Sequence, residues 1–212
     1  MSQREEVMAH IRDLKLVAVV RSTAEQVEPI FNALLDGGVA CIEITFSVPK
    51  APEMIAMALD KFGDRALIGA GTVRDKQKAI DAIDAGAKFI VAPNTDFDVI
   101  RLCNERDVPI APGAFTPTEV ENAWRSGADC VKVFPAGVVG IPYIKALRAP
   151  MPDIPLMPTG GVNVDNAADW LRAGAVALGV GGKLVLKDAL AAGNYGLITE
   201  TAKKFIAAIA QA

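Results

Sequence analysis

Lys132 is the residue whose surroundings in the sequence most strongly indicate a catalytic role. It is the only charged side chain in the apolar run from Cys130 to Pro135. A charged ammonium rarely lies in a buried strand unless it is paired, functional or able to reach solvent along its alkyl stem. Burial lowers the pKa of an amine, and the neutral amine is the form that attacks a carbonyl carbon to give a Schiff base. The segment alone allows two interpretations: a nucleophilic lysine, or an outward-facing lysine on an edge strand.

A repeated pattern gives Lys132 a partner. Four helix-to-strand junctions each carry a glycine that can end a helix in the left-handed conformation: Gly38, Gly86, Gly127 and Gly174. The residues five positions beyond these glycines are Glu43, Val91, Lys132 and Gly179. Alternate strands of an α/β barrel contribute side chains to the same interior layer, so the shared offset points Glu43 and Lys132 inward together. We expect Glu43 to be an acid–base carboxylate; a non-catalytic buried ion pair is the alternative.

The elements that position this pair alternate along the chain. Short apolar runs are followed by longer stretches with the spacing of an amphipathic helix, such as 24–35 and 75–85. This alternation is typical of parallel strands joined by helices, and about eight units predict a (β/α)8 TIM barrel with an N-terminal helix. Residues 1–212 are expected to form a single domain. The predicted strands are 16–20, 40–45, 66–70, 88–92, 108–111, 129–133, 154–157 and 175–180.

Several polar residues and glycines are predicted at the ends of these strands. Arg21 ends the first strand and is a candidate for binding a carboxylate, or for covering the rim of the barrel. Thr72 follows the third strand and either contacts substrate or caps the next helix, whereas Thr116 has the pattern of a capping box with Glu119. The loops after strands seven and eight form the recurring phosphate site of this fold. Their glycine clusters provide Thr159, Gly160, Gly161, Gly181 and Gly182.

Composition excludes several classes of function. The net charge of −3 shows no basic excess and argues against nucleic acid as a partner. The single histidine, His10, argues against His-based triads, and the three cysteines lack metal-ligand spacing, so no metal or cofactor is expected. The polar start of the chain does not resemble a secretory signal, and no apolar run approaches the roughly 20 residues that span a bilayer. We expect a cytoplasmic protein without membrane partners.

The motifs together resemble the class I aldolases for 2-keto-3-deoxy-6-phosphogluconate (KDPG) and 4-hydroxy-2-oxoglutarate (KHG). The resemblance runs from about residue 17 to 185. The Glu-x-Thr, Gly-Ala-Gly-Thr and Lys-x-Phe-Pro elements are the specific ones. The matching segments are Glu43-Ile44-Thr45-Phe46, Gly69-Ala70-Gly71-Thr72-Val73, Val91-Ala92-Pro93, Ala111-Pro112-Gly113, Lys132-Val133-Phe134-Pro135 and Pro158-Thr159-Gly160-Gly161-Val162.

This resemblance implies a Schiff-base lysine at Lys132, a proton-transferring Glu43 and a homotrimer of barrels. The positive charge of Lys132 and of its iminium should keep Glu43 ionised when it acts as base. It also implies that Thr45, Pro93 and Phe134 contact a small, phosphorylated 2-keto acid. Phe134 and Pro135 are expected to form an apolar wall or, for Pro135 in particular, to pack in the core.

Two departures from the family pattern bear on the substrate. Ser47 stands where many relatives have a carboxylate-binding arginine, so we expect Arg21 to take over the carboxylate. Gly182 stands where relatives often have a phosphate-binding serine, so backbone N–H groups and Lys183 are expected to hold the phosphate.

The predicted reaction is cleavage of 2-dehydro-3-deoxy-6-phosphogluconate to pyruvate and glyceraldehyde 3-phosphate. The same chemistry on the 6-phosphogalactonate epimer or on 4-hydroxy-2-oxoglutarate is an alternative. A metal-dependent aldolase and a non-aldolase sugar-phosphate isomerase or binding barrel are alternatives of other classes.

Overall fold

The strands form two parallel sheets in the computed structural model, which describes residues 2–212. The six-stranded sheet has the order β5-β4-β3-β2-β1-β9, and the three-stranded sheet has the order β6-β7-β8. All pairings are parallel, as expected for strands joined by helices. The strands are β1 (Leu16–Val20), β2 (Cys41–Thr45), β3 (Leu67–Gly71), β4 (Ile90–Val91), β5 (Ile110–Ala111), β6 (Gly113–Ala114), β7 (Val131–Val133), β8 (Leu156–Pro158) and β9 (Leu178–Val180).

Eleven helices lie between and around these strands in residues 2–212. The first of them is the predicted N-terminal helix. Thr116 does cap a helix, because its side chain accepts from the Glu119 N–H and the Glu119 side chain accepts from the Thr116 N–H. The helices are α1 (Gln3–Leu14), α2 (Ala24–Asp36), α3 (Ala51–Phe62), α4 (Lys76–Asp84), α5 (Phe97–Glu105), α6 (Pro117–Arg125), α7 (Ala136–Val139), α8 (Ile141–Arg148), α9 (Ala167–Arg172), α10 (Lys187–Ala191) and α11 (Tyr195–Ile209).

The predicted fifth strand, 108–111, is followed beyond Pro112 by a short additional strand. Proline has no N–H to donate to a ladder, so β5 ends before it and β6 begins after it. β5 pairs with β4, whereas β6 pairs with β7. The carbonyl of Pro112 still accepts a hydrogen bond from the Lys132 N–H at 2.9 Å. Nine short strands therefore replace the eight that the sequence predicts, and several are shorter than predicted.

Hydrogen bonds also run between the two sheets. The N–H of Asp129 donates to the carbonyl of Ile110 at 3.0 Å, beside the Pro112 break. At the other edge, the N–H of Val176 donates to the carbonyl of Leu156 at 2.9 Å, and Thr159 and Gly179 form an isolated parallel bridge. The chain is thus an α/β fold of strongly curled parallel strands.

Two separate apolar clusters show which side chains point inward. An outer cluster between strands and helices contains Ile42, Ile44, Val131 and Val133. An inner cluster, enclosed by the strands, contains Cys41, Cys130 and the side chains of α1 that close its end, Met8 and Ile11. Because side chains alternate along a strand, Glu43 and Lys132 lie on the inner side of β2 and β7. The inward direction predicted for both residues is confirmed.

The four junction glycines have the conformation that the repeat predicts. Their φ angles are 87° for Gly38, 94° for Gly86, 96° for Gly127 and 103° for Gly174. All lie in the left-handed region, where a side chain is strained. Each glycine ends a helix and directs the chain into the next strand, which explains why residues at the same offset reach equivalent positions.

In residues 2–212, no helix combines the length and the apolar character needed to cross a membrane. The three cysteines, Cys41, Cys103 and Cys130, are free and buried. They are therefore the buried thiols expected from the sequence.

Candidate active site

A cavity of about 370 Å³ opens at the carboxyl ends of the strands. We call it the main cavity. It brings together ten of the twelve predicted site residues: Arg21, Thr72, Pro93, Lys132, Phe134, Thr159, Gly160, Gly161, Gly181 and Gly182. Glu43 and Thr45 do not border it, because both lie buried behind its wall. The other residues that border it are Val19, Ser47, Val162, Gly179, Val180 and Lys183.

Lys132 lies at the base of this cavity with only 5% of its surface exposed. Its Nζ is 5.2 Å from the centre of the Phe134 ring. Burial lowers the pKa of Lys132 below that of an ordinary lysine. The negative charge of Glu43 opposes this shift, and the positive charge of Arg21 adds to it. A buried amine with a lowered pKa that borders a cavity is the arrangement that Schiff-base formation requires.

Glu43 is 1% exposed, and its Oε1 atom has no hydrogen-bond partner in the described residues. Burial raises the pKa of Glu43, while Lys132 and Arg21 lower it by a smaller amount. Desolvation therefore affects this carboxyl group more than the nearby positive charge does, and the ionised state expected of Glu43 when it acts as base stays a prediction. A carboxyl group with a raised pKa accepts a proton more readily than an ordinary glutamate and can donate it again.

Two glycines leave room for these side chains. A Cβ atom at Gly71 would lie 2.4 Å from Oε1 of Glu43, so the carboxyl group packs against the bare backbone of β3. A Cβ atom at Gly179 would lie 2.3 Å from Oγ1 of Thr159. The space beside Gly179 is thus filled by Thr159, which is itself buried.

Thr72 occupies a left-handed backbone conformation, with a φ angle of 58°. Such a conformation is unfavourable for a β-branched residue and is found mainly at functional sites. The capping alternative for Thr72 is wrong, since Asp75 caps α4 by accepting a hydrogen bond from the Lys78 N–H. The side chain of Thr72 is therefore left beside the cavity.

Arg21 is exposed and lies beside the glycine loop that follows β9. Its Nη1 atom is 3.1 Å from the position that a Cβ of Gly181 would occupy. The guanidinium is also close enough to lower the pKa of both Glu43 and Lys132. Lys183 borders the same end of the cavity. This end therefore carries two cations next to flexible glycine backbone.

Phe134 forms the outer wall on the other side, whereas Pro135 borders neither cavity. Phe134 is 38% exposed and borders both the main cavity and a neighbouring cavity of about 310 Å³. Pro135 is also exposed, so the expectation that it packs in the core is wrong. The chain turns outward directly after β7, which brings both residues to the surface.

Ser47 borders the main cavity, although the sequence indicated it only as a departure from the family pattern. Its Oγ lies 2.7 Å from Oγ1 of the buried Thr45. The signal that could have identified it is its spacing: it stands two residues beyond Thr45 and four beyond Glu43. Residues at this spacing share one side of a strand and its extension.

Comparisons with known proteins show which family the chain is similar to. The family model for KDPG and KHG aldolase matches residues 7–201. The 2-dehydro-3-deoxy-6-phosphogalactonate aldolase of Escherichia coli K12 is 38% identical over 81% of this chain and 84% of its own length. The 2-dehydro-3-deoxy-phosphogluconate aldolase of Treponema pallidum is 34% identical over 92% of this chain and 91% of its own.

A solved structure is also similar. The KDPG aldolase of Legionella pneumophila, with pyruvate captured as a covalent carbinolamine, superposes with a TM-score of 0.83. It is 30% identical, and the match covers 89% of this chain and 92% of that one. This chain belongs to the KDPG and KHG aldolase family.

Proposed function

We propose that this chain is a Schiff-base aldolase that cleaves 2-dehydro-3-deoxy-6-phosphogluconate to pyruvate and glyceraldehyde 3-phosphate. The observation that carries the proposal is Lys132, a buried amine with a lowered pKa at the base of the main cavity. The reaction needs an electron sink next to the bond that breaks, and an iminium on Lys132 would supply it.

The first half of the mechanism uses the neutral form of Lys132. Its Nζ attacks the C2 ketone to form a carbinolamine. Glu43 donates a proton to the departing water, and an iminium remains. The buried position of Glu43, behind the cavity wall and close enough to shift the pKa of Lys132, suits a group that exchanges protons at this centre.

The second half breaks the carbon–carbon bond. The carboxylate of Glu43 accepts the proton of the C4 hydroxyl, the C3–C4 electron pair moves to the iminium, and the aldehyde leaves. The remaining enamine takes a proton at C3 from Glu43. Water then hydrolyses the iminium, which releases pyruvate and returns Lys132 to its free form.

We assign the anionic groups of the substrate to opposite ends of the cavity. The glycine loops with Thr159, Gly160, Gly161, Gly181 and Gly182 would hold the phosphate. Arg21 lies beside Gly181. Its position therefore favours a contact with the phosphate over the contact with the substrate carboxylate that was expected from the sequence. Arg21→Ala should then weaken the cleavage of phosphorylated substrates much more than that of 4-hydroxy-2-oxoglutarate; equal losses would favour the carboxylate.

Borohydride reduction in the presence of pyruvate tests the central step. Mass spectrometry of the digested protein should find the reduced adduct on Lys132. Lys183→Ala is the matched control: it removes another lysine of the same cavity and should leave the adduct unchanged. An adduct elsewhere, or full aldolase turnover by Lys132→Ala, would reject the mechanism. The absence of any adduct would instead favour an isomerase or a binding protein with this fold.

The galactonate epimer is a second candidate substrate. The relative that is 38% identical to this chain is named a 2-dehydro-3-deoxy-6-phosphogalactonate aldolase. The two epimers share the pyruvate half that Lys132 would bind and differ at C4, where Glu43 would act. Values of kcat/KM for both epimers and for 4-hydroxy-2-oxoglutarate would rank the three substrates.

We infer further that the two sheets close into one (β/α)8 barrel in which β5 and β6 together act as the fifth strand. The hydrogen bond from Val176 to Leu156 and the Thr159–Gly179 bridge support closure between β8 and β9. Slow hydrogen exchange at the Val176 amide would agree with a closed barrel, whereas fast exchange would contradict it.

The homotrimer implied by the family resemblance also remains a proposal. Three large apolar side chains are exposed in the described residues near the cavity end: Phe97 at 55%, Phe134 at 38% and Val138 at 75%. Exposed apolar groups of this kind often mark an interface. Sedimentation of the purified protein should give the mass of three chains, and a single-chain mass would contradict the trimer.

The three free cysteines fit the reducing cytoplasm in which we place the enzyme.

A further inference from the structure

Thr45 and Ser47 form a pair of hydroxyl groups at the carboxyl end of β2. Their oxygens lie 2.7 Å apart. Thr45 is fully buried, whereas Ser47 is exposed and borders the main cavity. The pair therefore connects the interior of the fold with the space in which a ligand would bind.

The burial of Thr45 indicates which hydroxyl donates. The distance alone allows either direction. Among the described residues, Ser47 is the only hydrogen-bond partner of the Thr45 hydroxyl. If Ser47 were the donor, the buried O–H of Thr45 would have no acceptor, which is a costly arrangement. Thr45 therefore donates to Ser47, and the hydrogen of Ser47 stays available for a ligand. A hydroxyl that accepts one hydrogen bond becomes a better donor of the next.

The order of the strands indicates which part of the ligand Ser47 meets. In the order β4-β3-β2-β1-β9, Arg21 and the Gly181 loop follow β1 and β9, whereas Ser47 and Thr72 follow β2 and β3. A 2-keto acid held at C2 by Lys132, with its phosphate on the glycine loops that follow β8 and β9, would extend toward those strands from C3 onward. Its carboxylate, attached to the other side of C2, would then point away from them, toward β2 and β3.

We propose that Ser47, held in place by Thr45, donates a hydrogen bond to the carboxylate of the 2-keto acid. This inference rests on the proposed aldolase function and adds a binding residue and a positioning residue to it. The Ser47 hydroxyl is neutral and its hydrogen bond is directional. Binding of the carboxylate therefore depends on the orientation of Ser47. Thr45 acts through Ser47 and does not touch the substrate.

Pyruvate trapping measures this contact without the phosphate. The pyruvate concentration that half-saturates adduct formation with cyanoborohydride is compared in wild type, Ser47→Ala and Thr45→Val. Each variant should raise this concentration roughly tenfold, the usual contribution of a hydrogen bond to a charged group. The double variant should lose no more than Ser47→Ala alone, because the two hydroxyls act as one unit. Thr45→Ser keeps the hydroxyl and should bind pyruvate as tightly as wild type does.

Methyl pyruvate separates a carboxylate contact from a structural defect. This ester has the same ketone but no carboxylate charge, so its half-saturating concentration should change little in any of the variants. A Ser47→Ala enzyme with unchanged pyruvate binding would overturn the proposal, as would equal losses for pyruvate and its ester. Additive losses in the double variant would overturn the positioning role of Thr45. A wild-type protein that forms no adduct at all would instead reject the proposed function.

Discussion

Lys132 and Glu43 shift each other's pKa from buried positions on β7 and β2, yet no salt bridge joins them in the described part of the chain. The alternative of a structural ion pair, left open by the sequence, does not fit this arrangement. Two buried groups that remain unpaired are costly in a folded protein. Because neither group is held in a direct ion pair, both stay available for the proton transfers of imine formation.

The pKa of Lys132 should be visible in the pH dependence of imine formation. Only the neutral amine attacks, so the rate of inactivation by pyruvate with cyanoborohydride should rise with pH and level off below the ordinary lysine value of 10.5. Glu43 raises the pKa of Lys132, so Glu43→Gln should move this rise to lower pH. Arg21 lowers it, so Arg21→Met should move the rise to higher pH.

Opposite displacements in the two variants are the signature of the electrostatic coupling. Shifts in the same direction would show that the variants act through altered packing. A rise centred on the ordinary lysine value in wild type would contradict the desolvation of Lys132.

Gly71→Ala should impair catalysis while leaving the fold intact. The added methyl group would lie 2.4 Å from Oε1 of Glu43, so the carboxyl group must move. A displacement of about 1 Å in a catalytic group can lower kcat roughly 10²-fold. Steady-state kcat and the melting temperature would be measured together. Gly196→Ala is the control, because its nearest contact is an ordinary 3.6 Å and the site lies in α11. Normal turnover by Gly71→Ala would mean that Glu43 can adapt or is not required.

The sequence predicted the inward direction of Glu43 and Lys132 because a glycine with positive φ leaves a local signal at each helix end. It predicted the glycine loops for a similar reason. It did not predict the additional strand β6 beyond Pro112, since the change of partner strand there depends on tertiary pairing. It also could not indicate that desolvation dominates the pKa of Glu43, or that Ser47 meets Thr45, because both depend on side-chain packing.

The contact between Arg4 and Asp129 should contribute to stability without affecting catalysis. Two guanidinium nitrogens of Arg4 donate to the carboxylate: Nη2 lies 2.8 Å from Oδ2 of Asp129, and Nε lies 3.2 Å from Oδ1. Asp129 also accepts a hydrogen bond from the buried N–H of Ile110. It thereby ties α1 to β5 at the end of the fold opposite the cavity.

Asp129→Ala leaves the Ile110 N–H without its acceptor and should lower the free energy of unfolding by about 1–3 kcal/mol. Arg4→Met keeps the alkyl stem and should cost less. Urea unfolding measures both, and kcat per folded molecule should stay at the wild-type value. A loss of kcat in folded protein would show that α1 influences the cavity.

Gly182→Ser should strengthen the binding of phosphorylated substrates. Gly182 borders the main cavity at the glycine loop, and no atom lies within 4 Å of the position that its Cβ would occupy. A serine therefore fits without displacing a neighbour, and its hydroxyl adds a donor where the resemblance places the phosphate.

One further hydrogen bond to a charged group should lower KM about tenfold, with little change in kcat because the phosphate does not take part in bond cleavage. Gly182→Ala, which adds the carbon without the hydroxyl, should leave KM near the wild-type value. KM for 4-hydroxy-2-oxoglutarate should not respond to the serine, and an equal gain for that unphosphorylated substrate would show that this loop does not bind the phosphate.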